Sequence, residues 1–111
     1  MTGLQKAAAI FKILSVESRV QILHMLKQRS FCVNALARRL GISQAAVSQH
    51  LRVLRDAGVV AADRQGYFVH YRVSPAVLAQ WQEVTESLLR LEESGEEYEE
   101  RIRQRCPRTG T

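Results

Sequence analysis

The sequence predicts a mainly α-helical domain with one small β-hairpin. Three observations carry that expectation: apolar residues recur at helical spacing as far as Ala57, the period switches to two after Gly58, and a helical period returns after Ser74-Pro75. A chain of 111 residues suits one domain with a modest core. Its expected parts within 1–111 are two helices in 1–29, a helix-turn-helix in 32–57, a wing hairpin in 59–73, and a dimerisation helix with its tail in 75–105.

Leu4, Ala8, Phe11 and Leu14 fall at spacings of three and four and predict a short first helix. Ser15 is the expected N-cap of a second, from about Glu17 to Lys27, with Val20, Leu23 and Leu26 inward and Ile22 beside them. In the third, Val33, Leu36, Ala37 and Leu40 share a face, Gly41 terminates it and Ile42 fills the turn. Ser43 caps a fourth helix, Gln44 to Ala57, whose inward stripe is Val47, Leu51 and Leu54 and which ends at Gly58. Val59 and Val60 open a strand and Gln65-Gly66 makes the expected turn. Beyond it, Tyr67, Val69, Tyr71 and Val73 alternate with Phe68, His70 and Arg72.

Ser74 caps a long final helix, and Pro75 takes its first position, where the missing N–H costs nothing. Val77, Trp81, Val84, Leu88 and Leu91 step by 4, 3, 4 and 3 along it, and Tyr98 and Ile102 extend that register through Gly95. So small a core cannot cover this heptad seam, which therefore predicts a homodimer through the final helix assisted by the first. Leu4, Phe11, Val77, Trp81, Val84, Leu88 and Leu91 are the dimerisation candidates. The expected fold is a winged helix-turn-helix, dimerised through its terminal helices.

Charge narrows the partner. Residues 1–82 hold 11 Lys/Arg against 3 Asp/Glu, whereas residues 83–111 hold 5 against 8. A basic body suits a polyanion, because each cation that neutralises a phosphate releases condensed counterions. The acidic run Glu92, Glu93, Glu96, Glu97, Glu99 and Glu100 would be repelled by DNA, which places the tail away from the duplex. No apolar run approaches the roughly 18 residues of a membrane span, and no cleavable leader is visible, so a soluble cytoplasmic protein with no membrane partner is expected. Neither a nucleophile–base–acid set nor a phosphate loop is visible, so an enzyme is not expected.

A short helix, glycine turn, capped helix and hairpin make a reading head for double-stranded DNA. The first helix braces the second and leaves its far face free for the major groove. Ala45, Ser48, Gln49 and Arg52 recur at i, i+3, i+4 and i+7 on that face, with Ser43 and Gln44 at the helix start. Small and amide-bearing residues allow close approach and base-edge hydrogen bonds, while Arg52 and Arg55 suit phosphate or guanine. Arg64 and Gln65 are the expected wing contacts. His50 lies between the two faces as a packed or phosphate-facing residue; with no second ligand at i+4, no metal site is assigned to it.

The runs Phe31-Cys-Val-Asn-Ala-Leu-Ala37, Ile42-Ser-Gln-Ala-Ala-Val-Ser-Gln-His-Leu51, Leu54-Arg-Asp-Ala-Gly-Val59 and Arg64-Gln-Gly-Tyr-Phe-Val-His-Tyr71 resemble the ArsR (SmtB/ArsR) family of metalloregulatory repressors. Leu14-Ser-Val-Glu-Ser-Arg-Val-Gln-Ile-Leu23 resembles that family's second helix, so the likeness covers about residues 4–75. It implies a homodimeric repressor on an imperfect inverted repeat, released when an inducer binds or modifies it. The family's arsenic, cadmium and lead sensors carry two cysteines one residue apart where the third helix starts. Here Cys32 matches the first and Asn34 stands at the second. One thiolate does not make a soft-metal site, and no histidine follows His70 to supply the final-helix ligands of the zinc and nickel sensors.

Two readings of Cys32 and Cys106 remain: a thiol sensor or mixed site for a soft metal or metalloid inducer, formed if the tail folds back, or incidental residues. Two readings of the whole remain as well. The leading one is a sequence-specific repressor with no certain cofactor, and the other is a winged-helix interaction module that no longer binds DNA.

Overall fold

The computed structural model describes residues 1–91 and 102–104. The named elements, in chain order, are α1 (Gly3–Leu14), α2 (Glu17–Leu26), α3 (Val33–Leu40), α4 (Gln44–Asp56), β1 (Val60–Gln65), β2 (Phe68–Val73) and α5 (Pro75–Leu89). This is the expected winged helix-turn-helix order.

Glycine geometry sets the two junctions that matter. Gly41 adopts φ +69° after α3, and the Ile42 N–H donates to the Ala37 carbonyl at 3.2 Å. Gly58 adopts φ +82° after α4, where its own N–H donates to Arg55 O and that of Val59 donates to Leu54 O. Both are helix endings of the kind that needs a left-handed residue. One aims α4 away from α3; the other turns the chain directly into the hairpin.

Ile22, Leu26, Phe31, Leu36, Ala37, Val47, Leu51, Leu54, Val59 and Val60 form the core, drawn from α2, α3, α4 and the start of the hairpin. β1 and β2 pair antiparallel from Val60↔Val73 to Gln65↔Phe68. The connecting residues are Gly66 and Tyr67, one place later than the expected Gln65-Gly66 turn. Gly66 has φ +64°, and among the described residues only glycines have positive φ, which suits a loop whose first central residue is glycine. Phe31 also pairs with Tyr71 through both backbone hydrogen bonds, at 3.1 and 2.8 Å, and so ties the entry to α3 to the wing.

Several expectations need correction. Ser15 does not cap α2: its backbone is αR, and its hydroxyl donates back to the Lys12 carbonyl at 2.8 Å, so Val16 occupies the N-cap without a side-chain bond. The α2 core face is Ile22 and Leu26, with Val20 exposed. α1 forms where its spacing predicts, with Ala7 and Ile10 as its buried residues and Leu4 and Phe11 facing outward. The first strand starts at Val60 rather than Val59. α5 stops at Leu89, because Arg90 is extended at ψ 131°, so Leu91, the fifth residue of the expected seam, lies beyond the helix. Tyr98, Gly95 and the acidic run lie outside the described residues.

Leu54, the last residue of the α4 stripe, is fully buried in the core where the chain turns into the hairpin. Leu54→Ala should destabilise the fold by about 2–5 kcal/mol through lost contacts and an incompletely filled cavity. Urea unfolding at fixed protein concentration checks this, with a lowered midpoint and an unchanged slope expected.

Candidate nucleic-acid interface

The candidate reading face is defined by what lies behind it. Val47, Leu51 and Leu54 are 0, 1 and 0% exposed, and Gln44, Ala45, Ser48, Gln49, Arg52 and Arg55 all lie on the solvent side of α4. Three buried residues at helical spacing leave the helix no freedom to roll, so the opposite face is presented in one orientation. Ser43 is also exposed, but its Oγ already accepts the Ala46 N–H at 3.0 Å as the helix cap. Its hydroxyl proton remains available to a phosphate.

At the start of the helix, Gln44 Nε2 donates to Asn34 Oδ1 at 3.3 Å and links the first turns of α3 and α4. Asn34 thus ties α4 to α3, at the position where the sequence resemblance would have a second cysteine. Cys32 is the N-cap residue of α3, half-buried and without a side-chain capping bond. Cys106 lies outside the described residues.

His50 turns out to be a buttress. Arg19 Nε on α2 donates to His50 Nδ1 at 3.4 Å, and Arg19 Nη1 donates to the Ile13 carbonyl near the end of α1, also at 3.4 Å. Sequence spacing did not flag Arg19, since its partner is 31 residues away. Partial burial, and secondarily the Arg19 charge, hold the His50 pKa below its ordinary value. The neutral ring that accepts from Arg19 is therefore the favoured form in the folded chain.

The wing presents more than the two residues expected of it. Arg64 and Gln65 are exposed at its end, as the sequence suggests. Beside them Tyr67 is 99% and Phe68 66% exposed. Alternation had assigned Tyr67 to the same face as Val69 and Tyr71; it instead occupies the turn, where the strand period no longer applies. At the strand base, Arg72 Nε and Asp63 Oδ2 form a 2.6 Å ion pair that neutralises the wing's carboxylate.

On the opposite side of the domain, α1 packs against α5. Contrary to the expectation that the core leaves the seam uncovered, Val77 and Trp81 are half-buried against the chain's own core; Val84 is half-buried, and Leu88 remains 43% exposed. An apolar groove between these helices is lined by Leu4, Ile10, Ile13, Trp81, Val84 and Leu88. Phe11 is exposed on α1 but does not line it. No helix among the described residues is long and apolar enough to cross a membrane.

A family model described as bacterial regulatory protein, arsR family, matches residues 17–62, from α2 into β1. A crystal structure described as a "possible transcriptional regulator for arsenical resistance" superposes with a TM-score of 0.68 at 34% identity, covering 74% of this chain and 85% of that one. The chain belongs to the bacterial arsR family. The arsenical resistance operon repressor of Escherichia coli K12 is 41% identical over 71 residues, which are 63% of this chain and 61% of that repressor. The homodimeric winged helix-turn-helix DNA-binding domain of Mb0332 from Mycobacterium bovis, an NMR structure, matches with a TM-score of 0.62 at 29% identity over 78% of this arsR-family chain and 80% of that one. The family match thus spans α2, α3 and α4 and ends three residues into β1.

The depressed His50 pKa has a sign that can be tested. Between its folded pKa and the ordinary value of about 6.5, the unfolded chain binds the proton more readily than the native one. His50 therefore favours folding above that range, and the contribution is lost as pH falls through it. Thermal melts from pH 7.5 down to 5.5 should show a steeper loss for wild type than for His50→Asn, whose side-chain oxygen accepts from Arg19 without titrating. Parallel pH profiles for the two proteins would contradict this role.

Proposed function

We propose that this arsR-family chain is a homodimeric transcriptional repressor that binds an imperfect inverted repeat in double-stranded DNA and is released by an inducer. The observation that carries the reading is the exposed α4 face of Gln44, Ala45, Ser48, Gln49 and Arg52, held by the buried Val47, Leu51 and Leu54 behind it. Small residues let the helix approach base edges, Gln49 and Ser48 supply base-directed hydrogen bonds, and Arg52 and Arg55 supply charge. Arg64, Gln65 and the wing aromatics then flank the groove that α4 enters. His50 belongs to the site through Arg19, as the residue that sets the helix in place.

The homodimer reading is supported by the apolar groove between α1 and α5 and by the outward Leu4, Phe11 and Leu88. Two linked heads with fixed spacing match a repeat and gain affinity over a single head. Inducer release through thiol modification or a soft ligand belongs to the same reading. Cys32 supports it by sitting between the Phe31–Tyr71 bridge to the wing and the first turn of α3. A change at Cys32 would strain both at once.

The direct test is a gel shift with the duplex upstream of the protein's own gene. Ser48→Ala combined with Gln49→Ala should fold normally and lose about 1–3 kcal/mol of discrimination for each base pairing removed. Unchanged affinity and selectivity would mean that another face reads the DNA.

For the dimer, Leu88→Asp places a carboxylate in the proposed seam, where an unpaired buried charge is strongly unfavourable. Sedimentation should show the dimer dissociating, with operator affinity falling in parallel. A variant that stays dimeric would remove Leu88 from the interface.

A further inference from the structure

Two guanidinium groups share one aromatic ring at the entry to α3. Arg29 Cζ lies 4.7 Å and Arg39 Cζ 5.0 Å from the centre of the Phe31 ring. Phe31 is only 4% exposed and is pinned by its backbone pairing to Tyr71, whereas both arginines are exposed. Stacking on a fixed ring orients a guanidinium while leaving its N–H edges free, so the rotamer freedom usually lost on binding is already reduced. Among the described residues neither arginine has a carboxylate partner.

Position identifies the anion. Arg39 is on α3 and Arg29 just before it, and α3 is the first helix of the helix-turn-helix, the element that crosses the sugar–phosphate backbone while its partner enters the groove. We infer that Arg29 and Arg39, stacked on Phe31, form a preorganised clamp for phosphodiester groups of the DNA backbone flanking the bases read by α4. This rests on the DNA-binding reading above and adds to it a site carrying affinity without sequence preference.

The test is the salt dependence of binding to the promoter duplex and to an unrelated duplex of equal length. Each neutralised phosphate contributes about 0.9 to the slope of log affinity against log salt, so Arg29→Gln with Arg39→Gln should lower that slope by about 1.8 per protomer. Affinity for both duplexes should fall by the same factor, leaving the preference between them intact. Lys6→Gln with Lys12→Gln on α1 removes the same charge and should leave the slope near wild type. Both pairs of substitutions are on exposed side chains, so circular dichroism should show folded protein in each case. If the double arginine variant gave the same slope as the double lysine control, the clamp would be overturned while the repressor reading stayed intact. Failure of wild type to bind either duplex at low salt would overturn both. In a second arm, inorganic phosphate is titrated at fixed ionic strength; saturable binding by wild type, with no slope difference on DNA, would assign the pair to a small anion and overturn the backbone assignment.

Discussion

The burial of one side of α4 is the constraint on which the rest depends. Val47, Leu51 and Leu54 enter a core built by Ile22 and Leu26 from α2, Leu36 and Ala37 from α3, and Val59 and Val60 at the hairpin's start. At roughly 1.5–3 kcal/mol for each fully buried aliphatic side chain, that stripe outweighs any polar contact on the exposed side. Packing therefore decides which residues face outward, and the polar face is free to be chosen for recognition. The same stripe also fixes the wing, since Leu54 lies where the Gly58 turn feeds Val59 and Val60 into β1.

Polar links then refine what packing leaves loose. Asn34 ties the start of α4 to α3, and Arg19 ties His50 in the middle of α4 to the end of α1. Since α1 also packs on α5, the Arg19 link runs from the α1–α5 pair to α4. Cations are concentrated in residues 1–82 and carboxylates after them.

Local signals made most of the fold legible. Gly41, Ser43, Gly58 and Pro75 each act within a few residues of their own position, and each does in the structure what its chemistry implies. The α4 stripe was legible for a similar reason, because a long amphipathic helix repeats its signal. Ser15 misled because serine serves equally as a cap or as a donor to the preceding turn, and backbone conformation chooses. In α1 two apolar faces compete; the chain core takes Ala7 and Ile10 and leaves Leu4 and Phe11 outside. Contacts between distant residues were not legible at all: Arg19 with His50, Phe31 with Tyr71, and the two arginines on Phe31 depend on tertiary placement. Nor does heptad spacing indicate where a helix stops, which is why Leu91 fell outside α5.

Backbone amide spectra of the ¹⁵N-labelled protein, recorded while its own promoter duplex is added, test the central claim most directly. If α4 reads the groove from a face set by its buried stripe, the largest shifts should fall on residues 43–55 and on the wing from Arg64 to Phe68. Amides of α5 should move little. Large shifts along α1 and α5 with an unperturbed α4 would contradict that placement.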